Sequence, residues 1–220
     1  MQDGAMPMPM SVHPDAASVA VRSEPVQPRA AARIEALLDA AAHCVDDVGS
    51  ELLTTAMVAK SAGASIGTVY RYFPDRIAVL VALAGRNLER LRARFERTLS
   101  DPDHASWEDA VTALLRDFIG AYREIPSFRS VRTGDWLDVG AERPADSTDL
   151  IAAETLAVLV ARFGVPDDDA ARAALRRGFR VADALVMFAF QRDRFGDEEM
   201  LQMALDHGLM EAKVGLAPRS

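Results

Sequence analysis

Along residues 29–48, Ile34, Leu37, Leu38, Ala41, Cys44, Val45 and Val48 recur every three or four positions, and Gly49 follows. That spacing predicts a helix with one apolar face. A second run, over residues 75–99, starts at Asp75 as cap and aligns Ile77, Leu80, Val81, Ala84, Leu88, Leu91 and Phe95. A third, over residues 106–124, aligns Trp107, Val111, Leu114, Phe118 and Tyr122 before Pro126 stops it. A shorter helix is predicted over 128–139, a loop over 140–147, and a helix over 148–163 ended by Gly164. The longest helix follows Pro166 and runs to about residue 192, with acids in its first turn where the helix dipole favours them. It carries two adjoining apolar stripes: Leu175, Phe179, Ala182, Val186 and Ala189, then Gly178, Val181, Leu185 and Phe188. Such a helix has to be covered on two sides. A last helix, over 197–214, places Ala204, Gly208 and Ala212 four residues apart, which admits close helix contact. The fold class is all-α.

Between the first two long helices the pattern shortens. Thr54 or Thr55 caps a short helix through Met57, Val58 and Ala62, and Gly63 ends it. Ser65 caps a second one, through Ile66, Val69 and Phe73, until Pro74 and Asp75 begin the next element. Helix, Gly-containing turn, helix is the helix-turn-helix arrangement of DNA-binding proteins.

The run from Ala59 to Phe73 resembles the TetR family of bacterial transcriptional repressors. Thr opens the first helix, the Ala62-Gly63 pair makes the turn, and Gly67-Thr68-Val69-Tyr70-Arg71-Tyr72-Phe73 fills the recognition helix. The likeness covers about residues 29–97, and Ala56 stands where the family often has a charged residue. The resemblance implies a three-helix DNA-binding domain over residues 29–100, preceded by an arm over 1–28. A helical ligand-binding and dimerisation domain follows over 101–220. The second short helix enters a major groove, with Ile66, Val69 and Phe73 towards the core and Gly67, Thr68, Tyr70, Arg71 and Tyr72 towards DNA. Thr54 and Thr55 hold a phosphate with first-turn N–H groups, and Lys60, Ser65 and Arg76 complete that side. Arg29 and Arg33 approach the DNA backbone or form a solvated face. For Arg86, Arg90, Arg92, Arg94 and Arg97 the solvated face is the preferred reading.

The resemblance further implies a homodimer through the last two helices, about 167–192 and 197–214, on a near-palindromic double-stranded operator. The protein is then a ligand-responsive regulator, acting as a repressor. A small apolar effector releases it from DNA by favouring a dimer with wrongly spaced recognition helices. Trp107, Phe118, Tyr122, Trp136, Met187 and Phe190 are the candidate pocket, each of them also readable as plain core. Two alternatives stay open: a constitutive DNA-binding protein without effector, and an enzyme on the same helical scaffold.

Composition changes this picture in three places. The net charge of −8 is unevenly divided: residues 29–97 carry +2 and residues 98–220 carry −8, so the one helix-turn-helix lies in the one stretch that is not acidic. Residues 1–28 are proline-rich and aperiodic, with Arg22 as the lone basic side chain before Arg29, and disorder is expected there. The lone Cys44 excludes an internal disulfide and lies on an apolar helix face. No apolar run is long enough to span a membrane and no secretory signal is evident, so a cytoplasmic location is expected. His13, His43, His104 and His207 are scattered, and no HExxH, phosphate loop or nucleophile elbow is present. No catalytic site, metal or cofactor is expected.

Overall fold

The computed structural model describes residues 28–131 and 147–217. Among them are eight helices and no strand: α1 Pro28–Val48, α2 Thr55–Ser61, α3 Ile66–Tyr72, α4 Arg76–Leu99, α5 Trp107–Glu124, α6 Ser147–Phe163, α7 Asp169–Arg192 and α8 Glu198–Leu216. The N-terminal arm, apart from Pro28, and Trp136 lie outside the described residues. The helix expected over 128–139 lies outside them beyond Val131, and residues 126–130 form turns instead.

Two hydrophobic cores meet along α4. The first collects Leu37, Ala41 and Val45 of α1 with Val58, Val69, Phe73, Val79 and Leu83. The second collects Leu91 and Phe95 of α4 with side chains from α5 to α8. Because one helix of 24 residues serves both cores, a displacement of its distal half is carried to the small domain as a rigid element.

The arginines of α4 differ from the solvated face expected of them. Arg86 is buried, donating to Asp39 Oδ1 at 2.7 Å, Glu35 Oε2 at 3.3 Å and the Leu38 carbonyl at 3.1 Å. Arg94 bonds Asp117 at 2.9 Å and Glu124 at 2.7 Å on α5, and Arg92 pairs with Glu154 on α6. With Arg90 3.7 Å from Asp39 Oδ1, four of the five arginines tie α4 to three different helices. Their planar, forked guanidiniums reach carboxylates that sequence spacing does not bring near, with Arg86 Nε left without a partner among the described residues.

The turn after α5 ties the two cores together. Phe128 is fully buried in the second core and Val131 in the first. Just before Phe128, Ser127 takes a left-handed φ of 67°, unusual for a residue with a side chain. Its N–H donates to Asp46 Oδ1 of α1 at 2.8 Å.

The small residues of the last two helices act within the chain. A Cβ on Gly178 of α7 would stand 2.8 Å from the Gly208 carbonyl oxygen of α8. One on Gly215 would stand 2.5 Å from the Ala174 Cβ. α7 and α8 therefore cross at backbone contact, which side chains at these points would prevent. Among the described residues no helix is long and apolar enough to cross a membrane.

Candidate nucleic-acid interface

The helix-turn-helix is built from local signals. Thr54 Oγ1 accepts the Met57 N–H at 3.2 Å and caps α2. At the other end the Ala64 N–H reaches the Ala59 carbonyl at 2.9 Å and the Gly63 N–H reaches Lys60 at 3.3 Å. With Gly63 at φ +57°, this is the paired 6→1 and 5→2 closure that ends a helix sharply. Ser65 then caps α3, its Oγ accepting the Thr68 N–H at 3.2 Å. Asp75 caps α4 through the Ala78 N–H at 2.8 Å. Each break in the chain carries its own stop and start.

Packing decides which face of α3 is free. Val69 and Phe73 are fully enclosed, and Tyr72 is buried with them. This corrects the DNA-facing place expected of Tyr72: it lies three residues after Val69, on the same side of a helix only seven residues long. Ile66 is corrected in the opposite sense. It opens the helix, ahead of the turn that packs, and is 42% exposed. Arg71 is exposed and stands over the outer part of the Tyr72 ring, 5.8 Å from its centroid.

The free face therefore presents Ile66, Gly67, Thr68, Tyr70 and Arg71. A Cβ on Gly67 would meet nothing closer than Ser65 Oγ at 3.9 Å, so the fold itself has no need of a glycine there. Tyr70 projects with 48% of its surface exposed, and its hydroxyl oxygen accepts from Thr55 Oγ1 at 3.3 Å. That contact joins the start of α2 to the middle of α3, placing two hydroxyls and the first-turn N–H groups of α2 on one side. Thr54, Lys60 and Ser65 are exposed. Arg76 donates to the Glu51 carbonyl, which anchors its guanidinium at the base of the motif, while Arg29 is exposed at the start of α1. Hydroxyl and amide donors on one open face suit phosphate contact, and an open backbone at Gly67 suits close approach to a groove.

The expected pocket residues fall differently. Phe118, Tyr122 and Phe190 pack against one another and Phe128, with Tyr122 stacked on Phe190 at 5.3 Å and edge-on to Phe118 at 5.4 Å. The Tyr122 hydroxyl donates to Asp183 Oδ1 at 3.0 Å. Trp107 packs at the edge of the same core, and Met187 points outward. A cavity of about 360 Å³ lies instead between α4 and α6, and none of these side chains lines it. The rings of α5 and α7 fill the core, whereas the cavity is lined by glutamates, Arg92 and apolar side chains of α4 and α6, of which Phe95 is the one aromatic.

Residues 37–83 match the model of "Bacterial regulatory proteins, tetR family", and residues 105–205 match "Tetracyclin repressor-like, C-terminal domain". The fold is similar to the crystal structure of a TetR-family transcriptional regulator from Streptomyces coelicolor, with a TM-score of 0.70 and 30% identity over 83% of this chain and 97% of that one. The chain belongs to the TetR family. It is a helix-turn-helix transcriptional regulator of that family, whose members bind DNA and form dimers. Among curated relatives, the repressor KstR of Mycolicibacterium smegmatis is 37% identical over 65 residues. That match covers 30% of this chain and 32% of KstR, so the chain spans about a third of the length of that relative. The repressor Rv1474c of Mycobacterium tuberculosis is 29% identical over 147 residues, 63% of this chain and 74% of that protein.

Proposed function

We propose that this TetR-family regulator is an effector-released repressor rather than an enzyme. It binds a near-palindromic operator as a homodimer, and a small molecule in the C-terminal domain detaches it. The observation that carries the DNA half is the open face of α3, where Gly67 and Tyr70 are exposed and Thr68 half-buried, with Tyr70 joined to Thr55, while Val69, Tyr72 and Phe73 anchor the helix from behind. One such face offers few contacts. A two-fold dimer doubles them and makes the operator symmetric.

The dimer helices in this reading are α7 and α8. The first apolar stripe of α7 is consumed within the chain, but Met187 and Phe188 on its outer side are exposed, as are Met210 and Val214 on α8. Four large apolar side chains on two adjacent helices favour burial against a second copy. An effector works by binding more tightly to the dimer whose recognition helices do not fit successive grooves.

The test is nuclease protection of the DNA next to its own gene. A protected, two-fold symmetric site at low salt, weakening steeply as salt rises, is the expected result. No protection at low salt removes the repressor reading.

A further inference from the structure

The cavity between α4 and α6 has a chemical character that indicates an occupant. Its apolar floor is formed by Phe95, Leu99, Ile151 and Val158. Its mouth holds Glu89, Glu96 and Glu154 with one cation, Arg92. Arg92 Nη1 donates to Glu89 Oε1 at 2.8 Å and Arg92 Nε to Glu154 Oε2 at 3.0 Å. Glu96 makes no ion pair among the described residues. One guanidinium against three carboxylates leaves the mouth net negative. At about 360 Å³ the space reaches the lower part of the range of small-molecule sites, roughly 300–1,000 Å³.

We propose that this cleft is the effector site and that it takes a small organic cation with an apolar body; the assignment rests on the effector-released reading above. The body covers the floor from Phe95 to Val158, and the cationic head sits among Glu96, Glu154 and Glu89. A carboxylate ligand would meet three like charges, and a neutral ligand would leave Glu96 uncompensated. The site also has a route to the DNA-binding domain. Arg92 ties the middle of α4 to α6, while Arg162 of α6 holds the far end of α4 at the Leu99 carbonyl, and a ligand cation at Glu154 competes for the carboxylate that Arg92 uses. Freed of that tie, α4 shifts against α6 and carries with it the small domain built on its first half. The apolar effector expected from sequence gains a charge, and its site moves from the aromatic cluster to the α4–α6 cleft.

Calorimetric titration of the full chain with decyltrimethylammonium, decanol and decanoate, all below micelle-forming concentrations, separates head-group charge from chain length. The expected order is cation tightest, then alcohol, then carboxylate. Affinity for the cation should fall at least tenfold in Glu96→Gln and in Glu154→Gln. Ala93→Trp, which fills the cleft from an exposed position on α4 and touches no ion pair, should abolish binding without lowering the melting temperature. Decanoate binding as tightly as the cation, or cation binding unchanged in all three variants, overturns the proposal. Release of the protected DNA by decyltrimethylammonium supports the effector assignment, and retention of DNA at saturating cation overturns it. A protein that protects no DNA before any probe is added counts against the repressor reading instead, and the calorimetry still decides the cleft.

Discussion

Asn87 Nδ2 on α4 donates to the Val131 carbonyl oxygen at 2.9 Å, in a place where both residues are fully buried. The same amide reaches Ser127 Oγ at 3.3 Å. One polar side chain thus pins the turn after α5 to the helix shared by both cores, and the turn in its own right plugs Val131 into the DNA-binding domain. Asn87→Ala removes the donor and strands a buried carbonyl. It should cost about 2 kcal/mol, of the order found for leaving a buried hydrogen-bonding group unpaired. Urea unfolding read by circular dichroism measures it. A loss below about 0.5 kcal/mol, the scale of ordinary surface changes, would mean that the turn is not held by this contact.

Asp46 gives the same junction a pH signature. Desolvation of its carboxylate raises its pKa above the ordinary 3.8, although the Ser127 N–H bond pulls the other way. A folded-state value raised above the unfolded one means that this group favours folding most below the ordinary aspartate pKa. That contribution is lost as pH rises through the raised value. Asp46→Asn keeps an acceptor for Ser127 and removes the charge. Its melting temperature should therefore equal or exceed that of the parent at pH 7, with the difference shrinking as pH falls towards 4. A variant that melts lower at pH 7 by several degrees would contradict the assignment.

Two glycines should respond in opposite ways. Gly178→Ala drives a methyl into the Gly208 carbonyl, so α7 and α8 must part, at a cost of roughly 1–3 kcal/mol typical of overpacking. Gly67→Ala meets open space and should leave stability unchanged or raise it by about 0.5 kcal/mol from helix propensity. Its effect should appear on DNA, as an affinity loss of tenfold or more. Thermal melts and fluorescence anisotropy with labelled operator separate the two effects.

How far this was legible in the sequence depends on the range of the interaction. Thr54, Gly63, Ser65 and Asp75 act on neighbours within five residues, so the helix-turn-helix and its boundaries could be read directly. Within α3 hydrophobicity alone exchanges the faces of Ile66 and Tyr72, because position relative to Val69 decides which of them is buried. The partners of Arg86, Arg92 and Arg94 on other helices stand 23 to 62 residues away in sequence, and nothing local marks them. The aromatic residues of α5 and α7 pointed to a pocket, yet large rings fill space against one another as readily as they line it.

Ile66 carries a prediction about base readout. It is exposed at the start of α3, beside Thr68 and Gly67, where an aliphatic side chain contacts a thymine methyl in a major groove. Replacing individual operator thymines by deoxyuridine should weaken binding several-fold at one position in each half-site. The same replacement should have no further effect on Ile66→Ala. Equal sensitivity of parent and variant would place Ile66 away from the bases.

In the proposed function, Tyr70 and Thr68 on the open face of α3 hold this protein on specific DNA. The direct measurement is the affinity of the parent, Tyr70→Ala and Thr68→Ala for the protected site and for a scrambled duplex at matched salt, with folding checked by thermal melting. Tyr70 is half exposed and bonded to Thr55 alone, and Thr68 Oγ1 to the Ser65 hydroxyl alone, among the described residues, so both variants should melt close to the parent. Each should lose at least tenfold in affinity for the specific site and much less for the scrambled one. If both variants bind the specific site as tightly as the parent does, the recognition face is not the one described.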